Sequence, residues 1–319
     1  MPLQSVEFER PIVEIEKKIE ELRIIANGGG MDVDEEIRRL EKKARQMTRD
    51  LYLKLNRWQR TLLARHPKRP YTLDYISHIF TEFTELDGDR RIGADHAIVA
   101  GPAMLDDRAV MIVGHQKGRD IQQRAFRNFA MCKPEGYRKA VRMFDIAERF
   151  RLPVVTFIDT PAADPGVESE MRGISEAIAA SMLKMFELTV PVVSVVIGEG
   201  GSGGAIGIAV ANKVLMQEHA IYSVIPPEGC AAILWRDPDK GPQAAAALKL
   251  TSEAAMEFEL IDEVLPEPFG DAHRNVVEAA DTVRQGIRGS LKKRDKLGAK
   301  KLKVHRYERF RSMGRFDTV

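Results

Sequence analysis

Two apolar runs, LPVVTFIDT from Leu152 and VPVVSVVIG from Val190, start 38 residues apart. Each is entered through a proline and leaves into a loop that contains glycine. Continuous Val and Ile give such a strand no polar face to turn to water. It must be covered on both sides, as parallel strands are when crossover helices join them. Helices are expected after each run, over 168–187 and 203–211. A strand–helix unit repeated at this spacing predicts an α/β protein with a parallel sheet. A weaker third unit follows: KVLM (213–216), AIYSVI (220–225), then PPEGCAAILW as a loop. Upstream, AIVAGPAML and AVMIVGHQKG read as a hairpin turning at Asp106-Asp107. Residues 135–150 read as a helix with Ala140, Met143, Phe144 and Ala147 on one face.

The flanks have a different rhythm. Residues 1–65 read as a helical pair broken by NGGGMDVDEE, with Asp34 expected as the second N-cap. Ile12, Ile15, Ile19 and Leu22 mark the inner face of the first helix; Ile37, Leu40, Ala44, Met47, Leu51 and Leu55 mark that of the second. RHPKRPYTLDYISHIF, with two prolines, reads as a linker into a main domain over 66–275. Residues 276–319 read as a basic helical tail, either solvated or facing an acidic partner.

Composition narrows the class. The 319 residues are 44% hydrophobic with a net charge of +2, which suits a soluble globular protein and gives no strong nucleic-acid signal. Cys132 and Cys230 lack CxxC partners, so neither a metal site nor a disulfide framework is expected. Charges occupy the N-terminal stretch where a signal peptide is apolar, and the longest oily run is far short of the roughly 20 residues of a membrane helix. The expectation is a cytoplasmic protein with no membrane contact.

Five glycines crowd the seven positions Gly198 to Gly204. The stretch fits G-x-G-x-x-G on paper, with Glu218 downstream as the acidic residue of a dinucleotide site. It comes late in the chain, however, and opens a small-sided helix. Close backbone packing is a second reading. A third is an oxyanion site, in which the free N–H groups of a helix start donate to an oxygen that becomes negative. No G-x-S-x-G or H-E-x-x-H occurs to supply a conventional nucleophile or metal.

Seven segments occur in order: RPYTLDYI, GHQKGR, PEGYRKA, AERFRLPVVTFIDTP, IGEGGSGGA, PEGCAAILW and LIDEVLPEPFGDAHRN. Together the chain resembles the alpha-subunit family of bacterial acetyl-coenzyme A carboxylase carboxyltransferases. The resemblance implies a crotonase-like superhelix of repeated strand–strand–helix units. It implies a beta-subunit partner that carries the zinc ribbon, an alpha2beta2 assembly, and work alongside biotin carboxylase and the biotin carboxyl carrier protein. The implied reaction moves a carboxyl group from carboxybiotin to acetyl-CoA, giving malonyl-CoA for fatty acid synthesis. Carried over, the amides of Gly203, Gly204 and Ala205 would face the biotin oxygen. Gly200, Gly201 and Ser202, with Gly166 and Val167 of the 159–167 loop, would wall the site. Lys117 and Arg119 read either as solvated cations or as contacts to an anionic part of the substrate, with Arg172 a weaker candidate. His115 reads as a packed strand end.

The family usually has D-T-P-G-A-Y-P-G where this chain has DTPAADPG (159–166), so Ala162 replaces glycine and Asp164 replaces tyrosine. A shifted acyl-CoA preference is one expectation from this. A stand-alone hydratase or isomerase using Glu199 or Asp164 as acid/base is an alternative, and a dinucleotide-binding module is another.

Overall fold

The computed structural model of the protein describes residues 6–27 and 33–314. Helices α1 (Arg10–Asn27), α2 (Asp34–Tyr52), α3 (Arg57–Ala64) and α4 (Thr72–Ile79) precede the hairpin β1 (Ile98–Leu105) and β2 (Arg108–His115). Next come α5 (Ile121–Phe126), α6 (Pro134–Phe150), β3 (Val154–Thr160), α7 (Val167–Met171), α8 (Ile174–Glu187), β4 (Val192–Gly201) and α9 (Ser202–Ile206). The chain continues through β5 (Lys213–Gln217), β6 (Ile221–Ser223), α10 (Pro227–Trp235), α11 (Gly241–Leu248), α12 (Ser252–Glu257), β7 (Glu263–Leu265), α13 (Val276–Arg294) and α14 (Ala299–Arg311).

The spacing of the two apolar runs is the register of the sheet. Val154 pairs with Val192, Val155 with Val193, Thr156 with Ser194, and so on to Ile158 with Val196. Strands β2, β3, β4, β5 and β7 lie parallel in that order, with β1 antiparallel at the edge and β6 alongside the end of β4. Alternate side chains go to opposite faces. Val154, Ile158, Val192 and Val196 pack with Tyr137, Met143 and Phe144 of α6 and Met185 of α8. Val155, Phe157, Val193 and Val195 pack with Tyr75 and Ile76 of α4 and Val283, Ile287 and Leu291 of α13. One polar pair sits inside: Thr156 Oγ1 donates to Ser194 Oγ at 2.7 Å, so neither hydroxyl is stranded.

Several expectations change. The RHPKRPYTLDYISHIF stretch is no mere linker, because Tyr75, Ile76 and Ile79 of α4 are core residues. Helix α13 was expected in a separate tail, yet it forms one of the two layers over the sheet. The buried Arg306 of α14 donates to the carbonyls of Met185, Leu188 and Val190 at 2.7–2.9 Å, which ties α14 to the α8–β4 connection. The single helix expected over 168–187 breaks at Gly173, whose φ of +79° needs glycine. PPEGCAAILW is largely helix, with Pro227 in its first turn. Asp34 is the first residue of α2 rather than its cap, which is Val33, and Leu55 lies beyond the helix end. The glycine break at 28–30 falls outside the described residues.

If α13 is a core layer, Ile287→Ala should cost about 2–4 kcal/mol in chemical denaturation. A solvated tail would lose under about 0.5 kcal/mol.

Candidate functional site

The strict register of β3 on β4 ends where charged residues replace the apolar run. Beyond Ile158 and Val196 the next pair is Thr160 with Gly200, so β4 carries two extra residues opposite Asp159. A β-carbon at Gly198 would sit 2.3 Å from Asp159 Oδ1, so only glycine leaves room for that carboxylate. Asp159 Oδ1 accepts the Glu199 amide at 2.9 Å and the Lys117 ammonium at 2.7 Å. Lys117 Nζ also donates to Glu199 Oε1 at 2.9 Å. Arg65 Nε donates to Glu199 Oε2 at 2.6 Å and its other arm pairs with Glu228. Burial alone would depress the Lys117 ammonium, but Asp159 and Glu199 outweigh it and hold it above its ordinary value. Burial pushes Asp159 up against the pull of Lys117. Glu199, with two cations, is held below its ordinary range despite burial.

The glycines after the bulge are explained mainly by the chain itself. A β-carbon at Gly201 would lie 2.0 Å from the Pro161 carbonyl oxygen, and one at Gly204 would lie 2.5 Å from the Ala162 carbonyl carbon. One at Gly200 would meet the Tyr222 ring, and one at Gly207 the Tyr137 ring. The 160–163 backbone and the glycine loop therefore touch without slack, which is the close-packing reading. Gly203 is different: its β-carbon would meet only Ile178 Cδ1, at 3.4 Å. Ser202 turns the chain with φ 50°, a conformation rare for a non-glycine residue.

Helix α9 has one turn instead of the nine residues expected over 203–211, so it offers little macrodipole. It does leave donors free. The amides of Gly203 and Gly204, in the first turn of α9, have no intrahelical partner and meet no other acceptor among the described residues, whereas Ala205 is the first residue whose amide can bond back to the N-cap Gly201. The Gly204 carbonyl, on the far side, accepts from Tyr137 Oη at 3.3 Å. Beside this turn lies a crevice lined by Arg65, Pro161, Glu199, Gly200, Gly201 and Ser223. A wider groove, about 740 Å³ between α2 and Phe269, is a surface furrow lined mainly by charged side chains of α2, away from these groups.

The other expected residues divide. Gly166 stands at the N-cap of α7 and Val167 is 77% exposed, on the rim near the loop. Lys117 is no free cation, being spent on Asp159 and Glu199. Arg119 is engaged too: it donates to the carbonyls of Pro67 and Arg69, pairs with Asp74 and stacks on Tyr71. Arg172 pairs with Glu135 and Glu168 at 3.2 Å and stays a third exposed. His115 is fully buried, and burial holds it neutral at about 3. Asp164 accepts from Asn128 Nδ2 and Ser169 Oγ, which pins the 159–167 loop to a segment where Asn128, Phe129 and Ala130 all have positive φ. Ala162 has no positive φ, so alanine is accommodated there. The dinucleotide reading fails because Gly198 and Gly200 belong to β4, and the Glu218 carboxylate accepts the Glu267 amide. Sequence reasoning missed Arg65 and the structural role of Asp159. The available signal was a charged residue closing each of two apolar strands, which demands a partner of opposite sign.

One set among the described residues has the ligand types for a metal: Glu9, His66 and His273. The two rings stack, with centroids 3.8 Å apart. The Lys68 amide donates to His66 Nδ1 at 3.2 Å, which places the ring proton on Nε2, where a metal would bind. The cluster serves instead as a latch, with Tyr52 Oη donating to Glu9 at 2.6 Å and His273 held by Asp271.

A model of the family described as "Acetyl co-enzyme A carboxylase carboxyltransferase-like" matches residues 5–314. The chain belongs to this family. It is 52% identical over 312 residues to the acetyl-coenzyme A carboxylase carboxyl transferase subunit alpha of Geobacter metallireducens, covering 98% of both chains. It is 51% identical over 317 residues to that of Vibrio parahaemolyticus, covering 98% of this chain and 99% of the relative. Among solved structures it is similar to transcarboxylase 12S with hydrolysed methylmalonyl-coenzyme A bound, with a TM-score of 0.58 and 21% identity. That match covers 75% of this chain and 45% of the transcarboxylase chain, so this protein spans less than half of that relative. A Pseudomonas malonate decarboxylase hetero-tetramer in complex with coenzyme A matches with a TM-score of 0.56 and 17% identity, over 70% of this chain and 89% of that one. These likenesses show the crotonase-like fold. No helix among the described residues is long and apolar enough to cross a membrane.

Gly204→Ala should lower stability by about 1–3 kcal/mol through overpacking on the 162–163 backbone, while Gly203→Ala should stay within about 1 kcal/mol. Chemical denaturation of both variants compares them. The His66 and His273 latch gives a second prediction. Burial and nearby cations hold the rings down at about 4 and about 2, below the ordinary 6.5. The unfolded chain thus takes up protons first, and stability is full above pH 6.5 and falls as pH drops toward 4. His66→Phe, which keeps the stack and removes one titration, should flatten that fall in acid-unfolding curves.

Proposed function

We propose that this chain supplies the biotin-side half of a carboxyltransferase site, moving a carboxyl group from carboxybiotin to acetyl-CoA to form malonyl-CoA. The single observation behind this is the pair of unpaired amides at Gly203 and Gly204, with Ala205 next in the turn, set on a loop packed closely against the 160–163 backbone. Carboxybiotin, when bound, supplies the carboxyl group, and its ureido oxygen gains negative charge as that group leaves. Donors already aimed at such an oxygen need no reorganisation, and one of them contributes roughly 3–4 kcal/mol in a water-poor site. With a helix of one turn behind them, these amides act through hydrogen bonds rather than through a dipole. Gly200, Gly201 and Ser202 shape the floor, and Gly166 and Val167 the neighbouring wall. Arg172, a third exposed and paired with Glu135 and Glu168, is the cation we assign to a carboxylate in transit, a contact that would draw it from one of those partners.

A partner fits the exposed apolar groups on the same elements. Val167 and Met171 of α7, Ile206 of α9 and Ile233 of α10 face solvent in the isolated chain. A beta subunit of similar fold in an alpha2beta2 assembly would cover them, bring the zinc ribbon and hold the thioester, in line with the hetero-oligomeric malonate decarboxylase of similar fold. Biotin arrives on the biotin carboxyl carrier protein after charging by biotin carboxylase, all in the cytoplasm. The hydratase alternative loses its acid/base, since Glu199 is ion-paired on both sides and Asp164 is tied to Asn128 and Ser169. With its carboxylate so engaged, Asp164 fixes the loop rather than adding a free charge to the pocket, and acetyl-CoA remains the acyl acceptor.

The test is malonyl-CoA decarboxylation, the reverse reaction, with biocytin present. The alpha chain alone should be inert and the alpha–beta complex active only with biocytin. In the forward direction acetyl-CoA should outpace longer acyl thioesters. Partner-independent acyl-CoA hydration would refute the assignment, and a faster longer acyl-CoA would refute the substrate.

A further inference from the structure

We propose that Lys117 is a positioning residue for carboxyl transfer: by bridging Asp159 and Glu199 it sets how the 160–163 loop and the glycine loop meet, and so where the amides of Gly203 to Ala205 point. This rests on the function proposed above and assigns the ammonium a different task from substrate contact.

Three adjacent strands bring the groups together. Lys117 follows β2, Asp159 is the next-to-last residue of β3, and Glu199 lies near the end of β4. β3 and β4 end one and two residues later, and the loops leave from there. They touch backbone to backbone at Pro161 with Gly201 and at Ala162 with Gly204, where a single added carbon does not fit. A change at the root of these loops therefore passes directly to α9. The root is held by charge. Two buried carboxylates share one ammonium, at 2.7 and 2.9 Å, and the Glu199 amide bonds Asp159 as well. Both of the short bonds from Nζ run inward, to the protein. Without the cation the two carboxylates face each other in a poorly solvated place and repel. The other charged and titratable groups facing them are Arg65, from the end of α3, its partner Glu228 on α10, and the buried neutral His115 of β2. Arg65 can balance only one of the two carboxylates, and it is shared with Glu228.

The test uses the alpha–beta complex, with malonyl-CoA and biocytin as probes. Lys117→Met should lower kcat about 100-fold, as a displacement of about 1 Å does, while KM for malonyl-CoA changes less than about threefold. The deficit should shrink as pH falls from about 8 to about 6, because one proton shared between Asp159 and Glu199 relieves the repulsion. The double variant K117M/D159N restores charge balance, and the new amide can accept from the Glu199 N–H and donate to the Glu199 carboxylate. It should return to within about tenfold of the parent and lose the added pH dependence. A substrate-contact role predicts raised KM and no rescue, and either result overturns the proposal. So does unchanged activity of K117M. If K117M does not assemble, the double variant decides. An assembled but inactive double variant, or failure of both to assemble, places Lys117 in folding instead. A parent complex that shows no biocytin-dependent decarboxylation would refute the proposed function itself; an active parent leaves Lys117 to be judged alone.

Discussion

An ammonium held between two carboxylates at the ends of adjacent parallel strands is the constraint around which the candidate site of this protein is arranged. Up to Ile158 and Val196 the strands run in strict register, driven by apolar burial on both faces. Beyond it, hydrophobic matching no longer sets the pairing, and β4 takes in two extra residues. Asp159 fills the space that Gly198 leaves, accepts the Glu199 amide and draws in Lys117. A buried carboxylate pair is tolerable only with its cation present. The same contact that breaks the register thus fixes the replacement geometry.

From that root the loops follow with little freedom. Pro161 to Ala163 rest on Gly201 and Gly204 so tightly that glycine is a packing requirement at both. Of the three readings open for these glycines, close packing accounts for most positions, which admit the chain's own backbone or an aromatic ring. What is left for a ligand is the edge of the turn, where the Gly203 and Gly204 amides have no acceptor among the described residues. Tight packing behind and open donors in front are complementary: the first removes the motion that would blunt the second.

The sheet was legible because its signal is periodic and local. Two Val/Ile runs 38 residues apart predicted parallel buried strands, and the hairpin at Asp106-Asp107 and the helix near 135–150 followed from alternation and spacing. The helices that cover the second face were harder to read. Tyr75, Ile76 and Ile79 sit just after two prolines, and Val283, Ile287 and Leu291 sit among arginines and lysines, so composition pointed to a linker and a tail. Long cationic side chains can snorkel while their helix docks, and Arg306 shows a stronger case, with its charge spent on buried carbonyls. The glycine loop was legible as a site and its neighbours less so. Lys117 and Arg119 looked like free cations because sequence does not show which carboxylates and carbonyls the topology will deliver to them. The same holds for Asp164, whose partners Asn128 and Ser169 flank it from two directions.

The proposed transfer depends on where the unpaired amides point. A structure of the alpha–beta complex with biocytin bound measures this directly. The ureido oxygen should lie within about 3 Å of at least two of the amide nitrogens of Gly203, Gly204 and Ala205. A ureido oxygen held by other groups, with those three amides paired to carbonyls of the partner, would contradict it.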